Sequence, residues 1–437
     1  MLKSELKKRD LYLNKMIAFK DTDTIKVITG IRRCGKSSLL KLMANHLRDS
    51  GITDNQIIEL NFESMSLQKM DARAFYEYVK ERISTNKRTY MFFDEIQMVP
   101  GWETAVNSFR VDFDCDIYIT GSNAYILSSE LSTYLSGRYV EIKVLPLSFK
   151  EFLDFNDYTI TKRKSLTGNM VKQVTNKDGV VFDVKELFAA YAKFGGMPIL
   201  TDIGFELDKV VAALDGIYSA AVINDILQRE KRKGERTITD VVLLKKIILF
   251  LTDNIGSNTS STSISNVLLN EGLINNDKRK GKPAVQTIQA YLKALTEAYI
   301  FYEIKRFDIK GKDYLRTLSK YYIVDTGLRN YLLGFREGGI GHILENIIFF
   351  ELLRKGYDVA IGKIDNQEID FICTKVGKKK YIQVTESMIS PETRERELAP
   401  LRKIRDNHPK IVITLDTNIS ETEDGIKIIK ATDFLLE

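Results

Sequence analysis

The sequence predicts an α/β protein whose first domain is a parallel sheet built around a phosphate-binding loop, and three observations predict it. Gly30-Ile31-Arg32-Arg33-Cys34-Gly35-Lys36-Ser37 satisfies GxxxxGK[ST] in full. Ile25 to Thr29, just before it, is an apolar run suited to a buried parallel strand, and Ser38 to Ala44, just after it, has helical periodicity without a breaker. A second apolar run, Tyr90 to Phe93, ends in Asp94-Glu95, 58 residues beyond Lys36, in the form of a Walker B strand.

The chemistry follows from those residue types. Two glycines let the loop fold into a concave nest of N–H groups, and the helix behind it adds positive potential for phosphate oxygens. Nucleotide contacts therefore fall to Gly30, Arg33, Cys34, Gly35, Lys36, Ser37 and Ser38, with Lys36 reaching the β- and γ-phosphates. The Ser37 hydroxyl and the Asp94 carboxylate are the expected holders of Mg²⁺, and ATP with Mg²⁺ is the expected ligand pair. Glu95, one residue past the strand, is placed to polarise the attacking water.

Two further strands extend the sheet. Ile57 to Phe62 is one, and Asp116 to Thr120 is the other, ending in Gly121-Ser122-Asn123. Ser122 or Asn123 at that tip would face the γ-phosphate and the water, or would cap the helix from Ala124 to Leu131, and the two uses are compatible. Arg138 follows Leu135-Ser136-Gly137, where that helix hands over to the strand from Tyr139 to Val144. It either projects into the nucleotide of a neighbouring subunit or is a surface arginine after a glycine helix stop.

Length and composition bound the rest. A chain of 437 residues holds two to four domains. The sequence has no stretch of about 18 apolar residues, so no membrane span is expected. Met1 to Lys8 alternates charge and is no signal peptide. Three scattered cysteines fit a reducing cytoplasm without a disulfide framework, and the lack of a CxxC argues against zinc.

Along the chain, residues 1–150 alternate helical and strand patterns. Residues 151–235 read as a helical lid and linker, with a polar loop at 160–180 and a sharp stop at Gly195-Gly196-Met197-Pro198. Residues 236–337 suggest a winged helix: three helices near 243–251, 264–269 and 284–295, then two strands around Ile309-Lys310-Gly311-Lys312. Between 278 and 320 there are eleven Lys or Arg against four acids, an excess larger than the net charge of +6 for the whole chain. Lys278, Arg279, Lys280, Lys282, Lys310, Lys312 and Arg316 thus form a candidate phosphate-contact surface for DNA, the alternative being a protein-docking module with a charged rim. Residues 338–437 alternate helix and strand once more.

Several stretches carry a resemblance. Ile28 to Ser37, Phe93 to Gln97, Gly101-Trp102-Glu103, Ile119 to Ala124, Leu145 to Phe149, Gly195 to Pro198 and Tyr322 to Leu328 together resemble a widespread prokaryotic AAA+ ATPase family, over essentially the full length. The resemblance implies a P-loop core with a parallel sheet, ATP hydrolysis through Glu95, Ser122 or Asn123 as first sensor, Arg138 as finger, and a homo-oligomer, a hexameric ring. Its C-terminal region resembles a winged helix joined to a PD-(D/E)xK, restriction-endonuclease-like α/β fold. On that fold Glu345 and Asp370 match the two acidic positions and Gln383 the Glu-or-Gln position of (E/Q)xK, but the lysine position holds Thr385, with Lys378, Lys379 and Lys380 nearby. Nuclease activity is therefore not expected. The reading is a cytoplasmic ATPase doing conformational work on DNA, branched DNA included. The alternatives are a nucleotide-dependent signalling switch that docks proteins, and a DNA-cleaving defence effector.

Overall fold

A computed structural model describes residues 6–83, 87–121, 135, 137–164, 170–219, 226–227, 238, 240–270, 285–336, 338–417 and 420–437. The chain divides into two compact units, residues 1–145 with 297–299, and 146–296 with 300–437.

The first unit is a five-stranded parallel sheet. Its strands are β1 (Ile25–Thr29), β2 (Ile57–Asn61), β3 (Thr89–Asp94), β4 (Cys115–Thr120) and β5 (Tyr139–Lys143), in the order β2-β3-β4-β1-β5. All neighbours are parallel. Helices α1 (Asp10–Ala18), α2 (Lys36–Asp49), α3 (Ala72–Lys80) and α4 (Trp102–Asp112) complete it. β1, β3 and β4 are buried along their whole length, as strands covered on both faces must be. One side of the core is an aromatic cluster, with Phe75 edge-on to Phe62, Phe93 and Phe109 at 4.9–5.2 Å between ring centres. The strand order matters for function. β4 lies between β1 and β3, so the carboxyl ends of these three strands sit side by side. The opposite half of the sheet holds a buried ion pair. Lys26 of β1 and Asp116 of β4 meet with both side chains fully enclosed, and the Tyr118 hydroxyl donates to the same carboxylate.

In the second unit, α5 (Phe149–Phe155) starts with a capping box in which Ser148 and Glu151 satisfy each other's main-chain N–H. Residues 160–180, expected as a loop, instead form most of a three-stranded antiparallel sheet of β6 (Thr159–Lys164), β7 (Met170–Thr175) and β8 (Val181–Phe182). The Asn176 side chain accepts from the Asp178 and Val180 N–H groups and closes the second turn. Among the described side chains the region is exposed or half-buried apart from Val174, and the β-branched residues between the lysines carry the strand preference.

Helices α6 (Val184–Phe194), α7 (Ile199–Ile203), α8 (Leu207–Ile217), α9 (Val241–Asp253), α10 (Ser261–Asn270) and α11 (Val285–Glu297) follow, then the hairpin β9 (Phe301–Asp308) and β10 (Asp313–Ile323). After α12 (Thr326–Leu332) and α13 (Ile340–Arg354) come β11 (Asp358–Ile364), β12 (Gln367–Lys375), β13 (Lys378–Thr385), α14 (Pro391–Arg402), β14 (Lys410–Thr414), β15 (Thr422–Glu423), β16 (Ile426–Lys430) and α15 (Ala431–Leu435). Three helices and a hairpin thus occur in the order read for a winged helix. The hairpin, however, continues into one eight-stranded mixed sheet, β10-β9-β11-β12-β13-β14-β16-β15. The link is a short parallel pairing of Arg306 to Asp308 with Ile361 to Lys363.

Two of the sequence stretches meet in this unit. The buried Asp325 carboxylate accepts the Gly196 N–H at 2.7 Å and the Leu328 N–H at 3.0 Å, the second bond capping α12. A Cβ on Gly195 would lie 2.3 Å from the Asp325 carboxylate, and one on Gly327 2.0 Å from the Phe194 carbonyl oxygen, so only glycine allows the approach. Burial pushes the Asp325 carboxyl up to about 6 against the pull of these N–H donors. Among the described residues no helix is long and apolar enough to cross a membrane.

Candidate nucleotide site and a second buried cluster

The phosphate loop runs from the end of β1 into α2. Gly30 has φ +142, and a Cβ there would lie 2.1 Å from the Val144 carbonyl oxygen, so the position admits no side chain. Gly35, at φ +101, is the N-cap of α2 and offers no side-chain cap, which leaves the first N–H groups of the helix for a ligand. Lys36 is 4% exposed and donates to the Gly30 and Ile31 carbonyl oxygens at 3.0 and 3.1 Å. Its ammonium therefore lies folded back over the loop that would hold the phosphates. Ser37 and Ser38 are exposed. Cys34 is fully buried and burial raises its thiol pKa, so the sulfur packs and only the main chain of Cys34 can serve the ligand. Arg33 is exposed in the left-handed region at φ 64.

One residue outside the motif supports the loop. Arg9 is 3% exposed, and its guanidinium donates to the Cys34 and Leu145 carbonyl oxygens at 2.9 Å each. It thereby ties the loop to the segment after β5. An arginine 25 residues upstream gave no sequence signal, because the motif defines only the loop and its helix.

The acidic pair sits at the end of β3. Asp94 accepts the Asn61 amide at 3.0 Å on one oxygen and the Thr120 hydroxyl at 2.6 Å on the other. Glu95 follows in the left-handed region at φ 54; its N–H donates to the same Thr120 oxygen at 2.9 Å, and its carboxylate takes the Gln97 side-chain amide. Thr120 thus joins Asp94 to Glu95, and it can do so because β4 lies between β1 and β3. Burial raises the Glu95 pKa, and the nearby charge of Lys36 opposes the rise. A raised pKa favours a carboxyl that can take up a proton from water. Ser122 and Asn123, read as sensors, lie outside the described residues.

A magnesium ion fits what is present. Mg²⁺ in nucleotide sites usually takes one or two protein oxygens and completes its shell with phosphates and water. Asp94, held by neutral donors, and the exposed Ser37 are such a set. No group of three or more His, Cys, Asp or Glu able to hold a metal occurs among the described residues.

Arg138 is exposed and precedes β5, whose first residue, Tyr139, pairs with Ile25 at the start of β1. The phosphate loop begins beyond the other end of β1, roughly 15 Å along the strand. Arg138 is therefore far from its own chain's loop, and its guanidinium donates to the Asn107 side-chain oxygen at 3.3 Å.

Glu345, Asp370 and Gln383 converge in the second unit. The Gln383 side-chain oxygen accepts the Asp370 N–H at 2.9 Å, its amide donates to Glu397 at 3.0 Å, and the Val384 N–H donates to Asp370 at 2.7 Å. Burial first, and then the charge of Glu345, push the Asp370 carboxyl well above the usual range. The Thr385 hydroxyl donates to the Ser387 carbonyl. Lys379 and Lys380 lie over the Tyr381 and Tyr357 rings at 4.9 and 4.1 Å, and Lys378 is exposed. The lysine at this cluster is Lys320 of β10, which sequence reasoning missed because it lies 50 residues before Asp370.

Of the candidate DNA contacts, Lys278, Arg279, Lys280, Lys282 and the Arg316 side chain lie outside the described residues. Lys310 is exposed but paired with Asp365 at 2.5 Å, and Lys312 is exposed at φ 54 in the hairpin turn.

Comparison with known proteins agrees with this geometry. Residues 22–153 match the family model of an AAA domain, and residues 185–338 match a domain of unknown function. An uncharacterized protein of Haemophilus influenzae is 42% identical over 432 residues, 98% of each chain. An uncharacterized protein of Methanocaldococcus jannaschii is 30% identical over 91% of this chain and 83% of its own. Among solved structures, the Aeropyrum pernix ORC1 protein in complex with DNA aligns at 12% identity over 76% of this chain and 95% of that one, with a TM-score of 0.32, too low to carry a functional argument.

Proposed function

We propose that this chain, which belongs to one family with its Haemophilus and Methanocaldococcus relatives and matches an AAA domain over residues 22–153, hydrolyses Mg-ATP as an oligomer and uses the cycle to drive its second unit. The observation that carries the reading is the alignment of three strand ends. A phosphate loop, a polar threonine and an acidic pair stand in register at one edge of a parallel sheet.

In this reading the loop N–H groups and Lys36 bind the phosphates, and Lys36 exchanges its carbonyl partners for phosphate oxygens. Asp94 and Ser37 hold the metal ion, which when bound neutralises phosphate charge. Glu95 orients and deprotonates the attacking water, and Thr120 fixes Glu95 relative to Asp94. Arg138 supplies positive charge to the nucleotide of a neighbouring copy, since its own loop is out of reach.

DNA is the proposed partner of the second unit, on the strength of the basic stretch from 278 to 320. The second reading, a switch that docks protein, gains from one observation. Two cations of that stretch are already neutralised within the chain, Lys310 by Asp365 and Lys320 by Glu345 and Glu368. DNA binding that weakens steeply with salt supports the first reading, and salt-insensitive capture of protein the second.

The test is complementation. Lys36→Ala should lose ATP binding, whereas Glu95→Gln and Arg138→Ala should each bind ATP and lose turnover. Mixing the last two should restore part of the activity, because a mixed interface pairs an intact Glu95 with an intact Arg138. No recovery where mixed oligomers form would assign Arg138 a purely structural part.

A further inference from the structure

The cluster around Lys320 lies outside the nucleotide site and calls for its own explanation. Lys320 and Tyr322 are alternate residues of β10 and share one face of the strand. Lys320 is 3% exposed, and its ammonium lies 3.0 Å from Glu345 of α13 and 2.7 Å from Glu368 of β12. The Tyr322 hydroxyl donates to the same oxygen of Glu345. The second oxygen of Glu368 accepts the Asn258 amide at 2.8 Å, and that of Glu345 stands 3.9 Å from the His342 ring. Asp370 follows Glu368 by two residues, on the same face of β12, and interacts electrostatically with both Lys320 and Glu345. Four segments distant in sequence therefore converge, with two carboxylates on one ammonium and a third acid, Asp370, beside them.

Spacing and charge together say what this arrangement is for. A divalent ion draws carboxylate oxygens to roughly 2.0–2.6 Å of its centre. An ammonium keeps them at hydrogen-bond distance, roughly 2.7–3.0 Å, and that is the spacing here. Several carboxylates enclosed together without a cation would repel one another in a medium that screens poorly. Burial alone would lower the Lys320 pKa, but Glu345, Asp370 and Glu368 together hold it above the ordinary lysine value. The ammonium therefore stays charged. A second cation brought among the same oxygens would meet that charge at a few ångströms.

We propose that Lys320 is a built-in counter-ion, occupying the place between Glu345 and Glu368, beside Asp370, that a divalent cation would need. The cluster then ties the β9–β10 hairpin to α13 and β12, and it excludes metal-dependent cleavage of phosphodiesters. The lysine does here what a bound metal does elsewhere, without an exchangeable site.

The test uses Mn²⁺ alone as probe, followed by electron paramagnetic resonance and thermal melting of the full-length protein without nucleotide. Asp94→Asn is the parent, so that the first unit takes up no metal. The parent should bind no Mn²⁺ and its Tm should not move. Adding Lys320→Met should create one Mn²⁺ site per chain, with a Tm that rises on adding the ion, and adding Asp370→Asn as well should abolish it. Mn²⁺ bound by the parent and lost on Asp370→Asn overturns the proposal. A folded Lys320→Met protein that takes up no Mn²⁺ overturns it too. Where Lys320→Met does not fold, the parent and its Asp370→Asn derivative decide alone: no Mn²⁺ on either sustains the proposal.

Discussion

Lys36 and Lys320 are both buried, but the first donates to main-chain carbonyls and the second to carboxylates. Carbonyl oxygens accept hydrogen bonds from an ammonium without cancelling its charge, so the loop keeps a positive potential. Carboxylates more than cancel it, so the second cluster keeps no positive potential for an anion. Burial and residue type are the same in the two regions, and the formal charge of the partners is what differs. A buried lysine is informative only with its partners named.

The sharpest way to break that contrast is to remove each ammonium in turn. Lys320→Met should lower unfolding free energy by about 3–5 kcal/mol, because enclosed carboxylates lose their counter-charge. Lys36→Met should change stability by about 1 kcal/mol or less, since only carbonyl contacts are lost. Denaturant titrations of both variants check this, and equal costs would erase the distinction.

Asp325 extends the comparison to a buried charge held by N–H dipoles instead of an ammonium. The folded carboxyl keeps its proton up to about pH 6, whereas an unfolded aspartate releases it near pH 4. The folded state therefore binds more protons between those values, and stability falls as pH rises through the window, by roughly 2–3 kcal/mol from this group. Asp325→Asn should flatten the fall between pH 4 and pH 7 in denaturation midpoints, while lowering stability at every pH, because its amide meets an N–H donor.

The smallest effect belongs to Thr120. Thr120→Val keeps volume but removes the hydroxyl that joins Asp94 to Glu95, so turnover should drop about tenfold, as expected for one hydrogen bond. Nucleotide affinity, measured by equilibrium binding, should stay unchanged. A loss of affinity instead would move Thr120 from water positioning to phosphate binding.

The candidate nucleotide site was largely legible because the residues that form it are local. One motif contains Gly30, Lys36 and Ser37, and a single strand ends in Asp94 and Glu95. Thr120 and Arg9 were illegible, since the first depends on strand order and the second on a long-range packing contact. Glu345, Asp370 and Gln383 could be named from a resemblance, but not the ammonium they surround. Lys320 appeared in the sequence as part of a basic stretch, and linear charge counting cannot tell an exposed lysine from an enclosed one. The strands in residues 160–180 were missed because a small sheet with little buried surface has nearly the composition of a loop.

The pairing of β9 with β11 bears on how the protein can be divided. A fragment beginning at Gly338 would lack β9 and β10 and leave β11 as an open edge, with unpaired main-chain groups along a strand whose middle is buried in the intact chain. The same cut would remove Lys320 from its carboxylates. Such a fragment should aggregate when expressed, and gene fusions or exchanges between relatives should succeed only where the hairpin travels with the strands that follow it. The inheritable block of this part of the chain is therefore set by hydrogen bonding across the sheet, and its seam lies upstream of β9.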